Sequence, residues 1–375
     1  MYNGQLRSNE IFASIFNMII SQDIQSNMTG SFYSNLVNKA RVDGSLYGDT
    51  KLYYATDVLK SDKWGADAEA TNLLATHRPE DPKCQAIVLD VFRQISLTLD
   101  NYLSKRAWSD EGSFSRFAGV MSEWMNKTKE VYDTTTYNAF IGTHVSKVGS
   151  QYREIELPTS TDAEAQNRLQ AGAIAEELAN VLVDLRDALR TYNNYGHLES
   201  FNDSDLMFVW NAKYVNKIQK RDLPTIFHKD IVEHLGEDTL PARYFGDVLD
   251  KSTTTADGST IRSLIEQDVK LASAYTDLKG KTYKAGELFH VFAGDVIPSG
   301  VVIASSSAVI YPAYKVNDKV ICKIIHKSAV PYMSAFEVAT SFFNPKALLE
   351  NRYLTFGRNT LAQLDDKPFV TIVSK

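Results

Sequence analysis

Five short stretches of this 375-residue sequence carry residue types that could do chemistry. His228 and His234 lie at the two ends of the charged segment HKDIVEH. Histidine and carboxylate side chains are the types of ligand that can bind zinc. The two are six residues apart, whereas a metal-binding helix places its histidines four apart on one face. A solvated polar segment is therefore favoured over a metal site.

The tetrapeptide KGKT at 279–282 is similar to the end of a phosphate-binding loop. That loop needs a glycine five residues before Gly280, and Tyr275 occupies the position. The preceding segment, LASAYTDL, has a helical pattern instead of the required strand and glycine-rich turn. A surface turn is favoured over a nucleotide site.

Paired carboxylates offer no better candidate for acid–base catalysis. Glu176–Glu177 and Asp365–Asp366 are neighbours in sequence, and neighbours on a helix point apart. Asp203 and Asp205 could touch a cation, but no calcium-loop spacing follows them, which favours a polar turn before a buried strand. The sequence predicts no catalytic residue, no metal site and no cofactor. An α/β enzyme without a recognisable motif stays open as an alternative.

Charge and cysteine content bear on other classes of protein. The net charge of −6 argues against a chain that grips nucleic acid, since such binding needs a basic surface. Cys84 and Cys322 both lie in strand-like apolar contexts and are predicted to be small buried hydrophobes in a reducing compartment. No secretory signal or bilayer-length apolar run is visible, so we expect a soluble chain that is intracellular where it is made.

The elements that would position functional groups are clearest where two periodicities meet. Apolar and polar residues alternate from Gln85 to Leu99, which is the period of a strand with one buried face. After Trp108, residues spaced by three and four predict a long helix that buries one stripe and ends before Gly142. That stripe consists of Phe114, Phe117, Met121, Trp124, Thr128 and Val131.

Two segments near the N-terminus need partners. Ser8–Gln22 is a helix candidate with Ile11, Ile15 and Phe16 on one side, and so short a helix must dock its apolar face. Thr50–Val58 is a tyrosine-rich strand that can pair with the alternating run as a long hairpin with a polar tip. Such a hairpin is not stable alone and must lie on a neighbour, in the same chain or another.

The remaining chain mixes helices and strands. A capping box at Thr161–Glu164 opens a helix whose apolar face runs from Leu169 to Leu189. Asp205–Trp210 is a continuous apolar run, predicted as a strand buried on both faces, and Ala212–Lys220 is a short helix. These elements indicate an α+β fold with one domain inserted into another. Late strands are predicted at Leu288–Phe292, Val301–Ala304, Val320–His326, Phe336–Phe342, Arg352–Phe356 and Phe369–Val373.

A strand that feeds straight into a long helix resembles the hairpin-to-spine transition of tailed-bacteriophage major capsid proteins of the Hong Kong 97 type. The matching text is QAIVLDVFRQISLTLDNYLSKRAWSDEGSFSRFAGVMSEWMNKTKEVYDTTTYNAFIG, and the strand, Asn turn and short helix around Asn211 resemble the apical domain of those proteins. The resemblance implies an α+β, Hong Kong 97-like capsid fold. Its parts would be an N-terminal arm (1–43), an extended β-hairpin loop (44–100), a peripheral domain with the spine helix (101–150 and 330–375) and an axial domain (151–329).

The resemblance also implies a function. The chain would be a structural major capsid (head) protein that self-assembles into hexamers and pentamers of an icosahedral shell enclosing double-stranded DNA. It would reside in the virion after assembly in the host cytoplasm. Its partners would be its own copies, scaffolding and portal proteins, and packaged DNA by weak contact, with no membrane; a tail or connector component is the alternative among virion proteins. Expected subunit contacts are Ile11, Ile15, Phe16, Lys51, Tyr53, Tyr54, Lys63 and Trp64.

Overall fold

The computed structural model describes residues 36–44, 49–61, 76, 78–100, 111–218, 238–249, 261–298 and 312–375. The predicted helix at 8–22 and the predicted strand at 301–304 lie outside these ranges. Within the ranges, no helix is long and apolar enough to cross a bilayer. The helices are α1 (Leu36–Ala40), α2 (Glu111–Thr143), α3 (Ala163–Arg186) and α4 (Ala212–Ile218), and single 3₁₀ turns lie at Gly149–Gln151, Asp203–Asp205 and Ala242–Tyr244.

The strands of the described ranges form two large sheets and three small ones. In chain order they are β1 (Arg41–Asp43), β2 (Thr50–Ala55), β3 (Lys83–Asp100), β4 (Tyr152–Ile155), β5 (Leu206–Asn211), β6 (Thr239–Leu240), β7 (Gly246–Val248), β8 (Ile261–Ser263), β9 (Gln267–Lys270), β10 (Tyr275–Thr276), β11 (Thr282–Tyr283), β12 (Leu288–Val291), β13 (Ala313–Val316), β14 (Val320–His326), β15 (Tyr332–Asn344), β16 (Leu349–Asn359) and β17 (Phe369–Ser374).

The central sheet has the strand order β4-β17-β14-β5-β6. Strand β14 is antiparallel to β17 and β5, whereas β4 and β6 are parallel edge strands. Every residue of β5 and β17 is buried. Continuous apolar runs are typical of strands covered on both faces, and this interpretation is confirmed for Leu206–Trp210, whereas Asp205 lies exposed in the preceding 3₁₀ turn. Because β17 pairs with β14, the end of the chain joins the predicted peripheral and axial domains in one sheet.

Helices cover both faces of the central sheet. Helix α3 packs on one face through Ile174 and Leu178, whereas α1 and the C-terminal part of α2 pack on the other through Leu36, Tyr137 and Ile141. Side chains of a strand alternate between faces, so one strand serves both cores. In β5 the α3 side receives Leu206, Phe208 and Trp210, and the α2 side receives Met207 and Val209.

Helix α3 is capped by Asp162 rather than by Thr161, the predicted N-cap. The Asp162 carboxylate accepts a hydrogen bond from the Glu164 backbone N–H at 3.1 Å. Aspartate is at least as good an N-cap as threonine. Because Asp162 is one residue further along the chain than Thr161, the helix begins one residue later than predicted, at Ala163. The helix ends at Arg186, so Leu189 of the predicted apolar face lies beyond it, in a β-bridge.

The second large sheet has the order β1-β15-β16-β3-β2 and contains the predicted hairpin. Strand β3 is 18 residues long; its first residues pair with β2, and most of the rest pairs with β16. The antiparallel pairing of β2 with β3 confirms that the tyrosine-rich strand joins the alternating run. The first strand ends at Ala55 rather than at Val58, and residues 62–75 between the two lie outside the described part.

Helix α2 spans from one large sheet to the other, but its buried face is not the predicted stripe. Trp124 and Val131 are each 51% exposed. The buried face instead contains Lys129, Tyr132 and Asp133. The prediction was wrong because a hydrophobicity pattern assigns lysine and aspartate to solvent, and here both are buried by strands distant in sequence. The stripe residues Phe114, Phe117 and Met121 belong to α2, and their side chains are outside the described part.

Gly142 lies inside α2 rather than beyond its end. A Cβ at this position would stand 2.2 Å from the backbone oxygen of Tyr244. Glycine therefore lets the 3₁₀ turn Ala242–Tyr244 cross the helix at close range, which any side chain would prevent. Close packing, and not helix termination, accounts for this glycine.

Residues 261–298 form a small all-β unit. Strand β9 pairs with β12, and β10 forms a short hairpin with β11. The helical interpretation of LASAYTDL was wrong, since this segment contains β10. The KGKT segment belongs to the hairpin turn, where the Asp277 carboxylate accepts the backbone N–H groups of Lys279 and Lys281 at 2.9 Å each and Gly280 has φ 78°. A turn, as the sequence favours, occupies this position.

Candidate interaction surface

The stretches with chemical residue types do not assemble into a site in the described ranges. Asp203 is ion-paired with the last residue of α3, and the Asp365 carboxylate accepts the side-chain N–H of Asn194 at 2.7 Å. His228 and His234 lie outside the described residues. Among those that are described, no group of three or more His, Cys, Asp or Glu side chains could hold a metal ion. Asp203 and Asp365 therefore act in loop packing, and Glu176 and Glu177 lie on α3.

Two grooves lie beside α2. One, of about 260 Å³, is bordered by Met125, Arg352 and neighbouring residues of β15 and β16. The other, of about 100 Å³, is bordered by Asn38, Lys129 and Glu337. Binding sites for drug-sized ligands usually enclose at least about 300 Å³. Neither groove supports the enzyme alternative.

The predicted contact residues on β2 point to two sides of the hairpin. Lys51 and Tyr53 are half-buried, and Tyr53 packs on a small core that includes Ile87 and Met333. Tyr54 points the other way and is 64% exposed. The structure therefore places three of the eight residues on one strand but on opposite faces. Ile11, Ile15, Phe16, Lys63 and Trp64 lie outside the described residues.

The exposed face of the hairpin is apolar. Leu52 and Tyr54 of β2 are 52% and 64% exposed, and Val88 of β3 is 41% exposed. Ala86 and Cys84, which pair with Leu52 and Tyr54, are exposed beside them. These five residues are called the hairpin face below. Clustered exposed apolar side chains mark interaction sites more often than scattered ones do.

Cys84 corrects the prediction that both cysteines are buried. It is exposed, whereas Cys322 is fully buried and burial raises the pKa of its thiol. Cys84, Ala86 and Val88 alternate along β3 and share one face of the strand, whereas the buried Ile87 lies on the other face. The exposure of Cys84 could therefore have been predicted from the alternation of side chains along the strand.

Polar contacts fix the base of the hairpin to the body. The Asp57 carboxylate accepts the Leu198 backbone N–H at 2.9 Å and pairs with Arg190 at 2.5 Å. The bond from Leu198 and the Arg190 guanidinium lower the pKa of Asp57 to about 2. On the other strand, the Gln85 side chain donates to the Gln363 carbonyl and accepts the Asp365 N–H, both at 2.9 Å. The orientation of the hairpin face is therefore set by the fold.

The neighbouring surface of the same strand is polar. Beyond the hairpin, Gln94 Nε2 donates to Thr355 Oγ1 at 3.1 Å, and Thr98 Oγ1 donates to Asn351 at 2.8 Å. Ser96 is exposed between them. Such cross-strand polar pairs suit a sheet surface that faces water. The change from polar to apolar along β3 coincides with the hairpin, which singles out the hairpin face as the part suited to a partner.

A polar network, buried except at Glu337, joins α2 to the second large sheet. Lys129 Nζ lies 3.7 Å from Asp133 and 3.0 Å from Glu337. The Tyr332 hydroxyl donates to Asp133 at 2.5 Å, and Arg358 Nε donates to the Tyr132 hydroxyl at 3.0 Å. Burial raises the pKa of Asp133 against the opposing effects of these partners. The network was missed in the sequence because its two halves are separated by about 200 residues.

A fully buried lysine fixes the end of α2 to the central sheet. Lys323 of β14 donates to the His144 carbonyl at 2.6 Å, just past the helix end, and lies over the Phe369 ring. Burial lowers the pKa of Lys323 to about 7. His144 is held by Gln363 at 2.9 Å, and burial lowers the pKa of its imidazole. The same loop around Gln363 thus supports both the hairpin base and the helix end.

Comparison with known proteins gives a single family. Residues 3–364 match the sequence profile described as Phi29-like phage major capsid protein. No curated protein matches the sequence.

Among solved structures, similar chains come from phage particles. A chain from the capsid structure of Staphylococcus phage Andhra is 11% identical, with a TM-score of 0.56, and the match covers 92% of this chain and 85% of that one. A chain from the structure of the head fiber and inner core protein gp22 of native bacteriophage P68 is also 11% identical, with a TM-score of 0.57 and coverage of 91% and 85%. At this identity the likeness concerns the fold.

Proposed function

Because this chain belongs to the Phi29-like phage major capsid protein family, we propose that its N-terminal arm and hairpin join copies of it into the hexamers and pentamers of an icosahedral shell. The chain is a structural head protein of the virion with the Hong Kong 97-type fold, and it assembles with itself.

The observation that carries the proposal is the hairpin face. Leu52, Tyr54 and Val88 expose apolar surface on a hairpin whose base is tied to the body by Asp57 and Gln85. Aromatic and apolar side chains on a rigid support favour binding, because little conformational entropy is lost when they are covered. A hairpin that is fixed on one face and leaves its other, apolar face exposed fits the role of a loop that overlaps the adjacent subunit.

The domain organisation follows the same proposal. Residues 1–43 form the arm, 44–100 the overlapping loop, 101–150 and 330–375 the peripheral domain, and 151–329 the axial domain, which meets its copies at the capsomer centre. This division is supported by the packing of α2 on β16 of the second large sheet and of α3 on the central sheet, although β17 of the peripheral range is itself a strand of the central sheet. The predicted contacts Ile11, Ile15, Phe16, Lys51, Tyr53, Tyr54, Lys63 and Trp64 are part of this proposal.

The partners beyond the chain's own copies follow from its composition and its role. A net charge of −6 suits a wall that encloses double-stranded DNA and touches it weakly. Scaffolding and portal proteins would direct closure during assembly in the host cytoplasm. The chain acts without catalysis, since its family role is structural. The tail, connector and enzyme alternatives receive no support from the comparisons.

Negative-stain electron microscopy of two matched variants tests the proposal. Tyr54→Asp places a charge on the hairpin face, whereas Ser96→Asp places one on the polar surface of the same sheet. We expect closed shells from the wild-type chain, expressed with its neighbouring genes, and from Ser96→Asp. Tyr54→Asp should give folded subunits that do not close into shells, because a buried unpaired charge is unfavourable. Shells formed equally well by both variants would show that this face is not a contact.

A further inference from the structure

One segment of the small all-β unit projects from the body of the protein. From residue 272 to residue 288 all but three residues are exposed. This segment contains the β10–β11 hairpin, and strands β9 and β12 lead into it and out of it. Residues 270–287 are called the basic knob below.

The basic knob is positively charged on a chain that is negatively charged as a whole. Residues 270–287 contain four lysines and two carboxylates, a net charge of +2, whereas the chain has a net charge of −6. The lysines, all of them exposed, are Lys270, Lys279, Lys281 and Lys284. A local basic surface on an acidic protein marks the place where a polyanion can approach it.

The two carboxylates of the basic knob hold its turns rather than its lysine side chains. Asp277 accepts backbone N–H groups of the β10–β11 turn, and Glu287 accepts the Lys284 backbone N–H at 2.8 Å. Lys281 Nζ lies 4.5 Å from the centroid of the Tyr283 ring. Within the ranges that the structure describes, none of the four ammonium groups forms an ion pair. Their charges are therefore available to a partner.

The backbone that carries these lysines is fixed before any partner binds. The rings of Tyr275 and Tyr283 each meet the Phe289 ring edge to face, with centroids 5.2 Å apart. On the other face of the hairpin, the hydroxyls of Thr276 and Thr282 are hydrogen-bonded at 3.0 Å. Binding therefore requires no ordering of this backbone, which limits its entropic cost.

The composition of the basic knob indicates a partner that is recognised by charge alone. Lysine acts as a point charge towards phosphate, without the bidentate geometry of arginine. Residues 270–287 contain no arginine, asparagine or glutamine, which are the side chains that most often read base edges in the grooves of DNA. The polyanion that the proposed function brings to the subunits is the enclosed double-stranded DNA.

We propose that the basic knob binds the phosphate backbone of the enclosed double-stranded DNA, independently of its sequence. The inference rests on the proposed function and names the surface that makes the weak contact with DNA. The acidic remainder of the chain repels the duplex, so a single subunit binds weakly. A shell repeats the contact in every copy, and linked contacts strengthen one another through their effective concentration.

The salt dependence of DNA binding by the free subunit tests this contact. Each lysine that neutralises a phosphate contributes about 0.9 to the magnitude of the slope of log K against log salt concentration. The variant Lys279→Gln/Lys281→Gln/Lys284→Gln should therefore lower that magnitude by about 2.7. Fluorescence anisotropy of a labelled DNA duplex, titrated with subunit at a series of salt concentrations, measures the slope.

A matched control removes the same charge elsewhere. Lys83, Lys319 and Lys346 are exposed at three separate places in the fold. The variant Lys83→Gln/Lys319→Gln/Lys346→Gln should keep the wild-type slope, because scattered charges do not contact one duplex together. An equal decrease in both variants would show a general effect of net charge and overturn the inference, as would an unchanged slope for the knob variant.

Chemical modification of wild-type particles tests whether the contact exists in the shell. A small amine-reactive reagent should acetylate Lys279, Lys281 and Lys284 several-fold less in DNA-filled particles than in emptied ones. Lys319 is the internal reference and should react equally in both. Mass spectrometry of the corresponding peptides measures the difference, and this assay decides if the knob variant does not fold.

The outcomes in particles are distinct. Equal acetylation of the knob lysines in filled and emptied particles would overturn the inference and leave the proposed function standing. If an amine reagent too large to enter the shell modifies these lysines, the basic knob lies on the outside, and its partner is not the enclosed DNA. If the wild-type chain forms no particles, the proposed function itself fails.

Discussion

Replacing Lys323 with methionine should make the subunit's stability less dependent on pH. The lysine is fully buried in β14, and burial lowers its pKa from 10.5 to about 7. Between these two values the unfolded chain carries a proton on this side chain that the folded chain has largely lost. The unfolded state therefore binds more protons, and the wild-type free energy of unfolding rises with pH across the window.

The magnitude follows from the pKa change. One pKa unit corresponds to 1.36 kcal/mol, so the full window from about pH 7 to 10.5 is worth about 5 kcal/mol. Between pH 7.5 and 9.5 the wild-type value should gain about 1.4 kcal/mol per pH unit relative to Lys323→Met. The variant also loses the hydrogen bond to the His144 carbonyl, which contributes about 1 kcal/mol at every pH and does not alter the slope.

Urea unfolding of the free subunit, followed by tryptophan fluorescence at pH 7.5, 8.5 and 9.5, measures this difference. Lys270→Met serves as the control, because Lys270 is exposed on β9 and also alternates with buried residues. We expect Lys270→Met to follow the wild-type slope. If Lys323→Met follows it as well, the lysine is not held in the state that its burial implies and the reasoning fails.

Three further predictions concern individual positions. Gly142→Ala should destabilise the subunit by roughly 1–3 kcal/mol, because its Cβ would stand 2.2 Å from the Tyr244 carbonyl oxygen. Gly172→Ala should instead stabilise α3 by about 1 kcal/mol, because nothing lies within 4 Å of the added Cβ. Thermal unfolding that ranks the two variants in the opposite order contradicts this packing. His290→Gln should lower the melting temperature at pH 6 and leave it unchanged at pH 9. The carboxylates of Glu266 and Asp268 raise the pKa of His290 to about 8, so the stabilisation by these ion pairs is complete below pH 6.5 and is lost as the pH rises through 8. An equal decrease of the melting temperature at both pH values argues against the ion pairs. Leu348→Gly should stabilise the β15–β16 turn by about 1 kcal/mol, because Leu348 has φ 54°, and a denaturation midpoint that falls would refute this.

Much of the strand framework could be predicted because apolar runs and turn residues are local signals. Strand β14 has the predicted bounds, Val320–His326, and β5 is buried on both faces as its composition indicates. Alternation along β3 likewise predicted a strand and its hairpin partner. The family resemblance depended on the order of these elements, which survives at very low sequence identity.

The buried face of α2 could not be predicted from the same kind of pattern. The helix buries Lys129 and Asp133 because Glu337 and Tyr332, about 200 residues away, supply their partners. Apolar residues such as Trp124, which lies on the predicted stripe, are left outside. A pattern of hydrophobicity contains no information about a polar network whose other half is distant in sequence.

The hairpin face was only partly predictable. Tyr54 was among the expected contacts, whereas Leu52, Val88 and Cys84 were not, although all lie on one side of the hairpin. Both sides of β2 carry tyrosine, so the sequence does not say which side packs on the body. That choice is made by residues of other segments, such as Met333 and Leu364, which cover Ile87.

A cryo-electron microscopy map of the assembled particle, at a resolution that shows side chains, would show which surfaces of the subunit meet in the shell. We expect a closed icosahedral shell of hexamers and pentamers in which Leu52, Tyr54 and Val88 are buried on the adjacent subunit. A shell whose hairpin face remains in solvent, or a tube or ring instead of a shell, would contradict it.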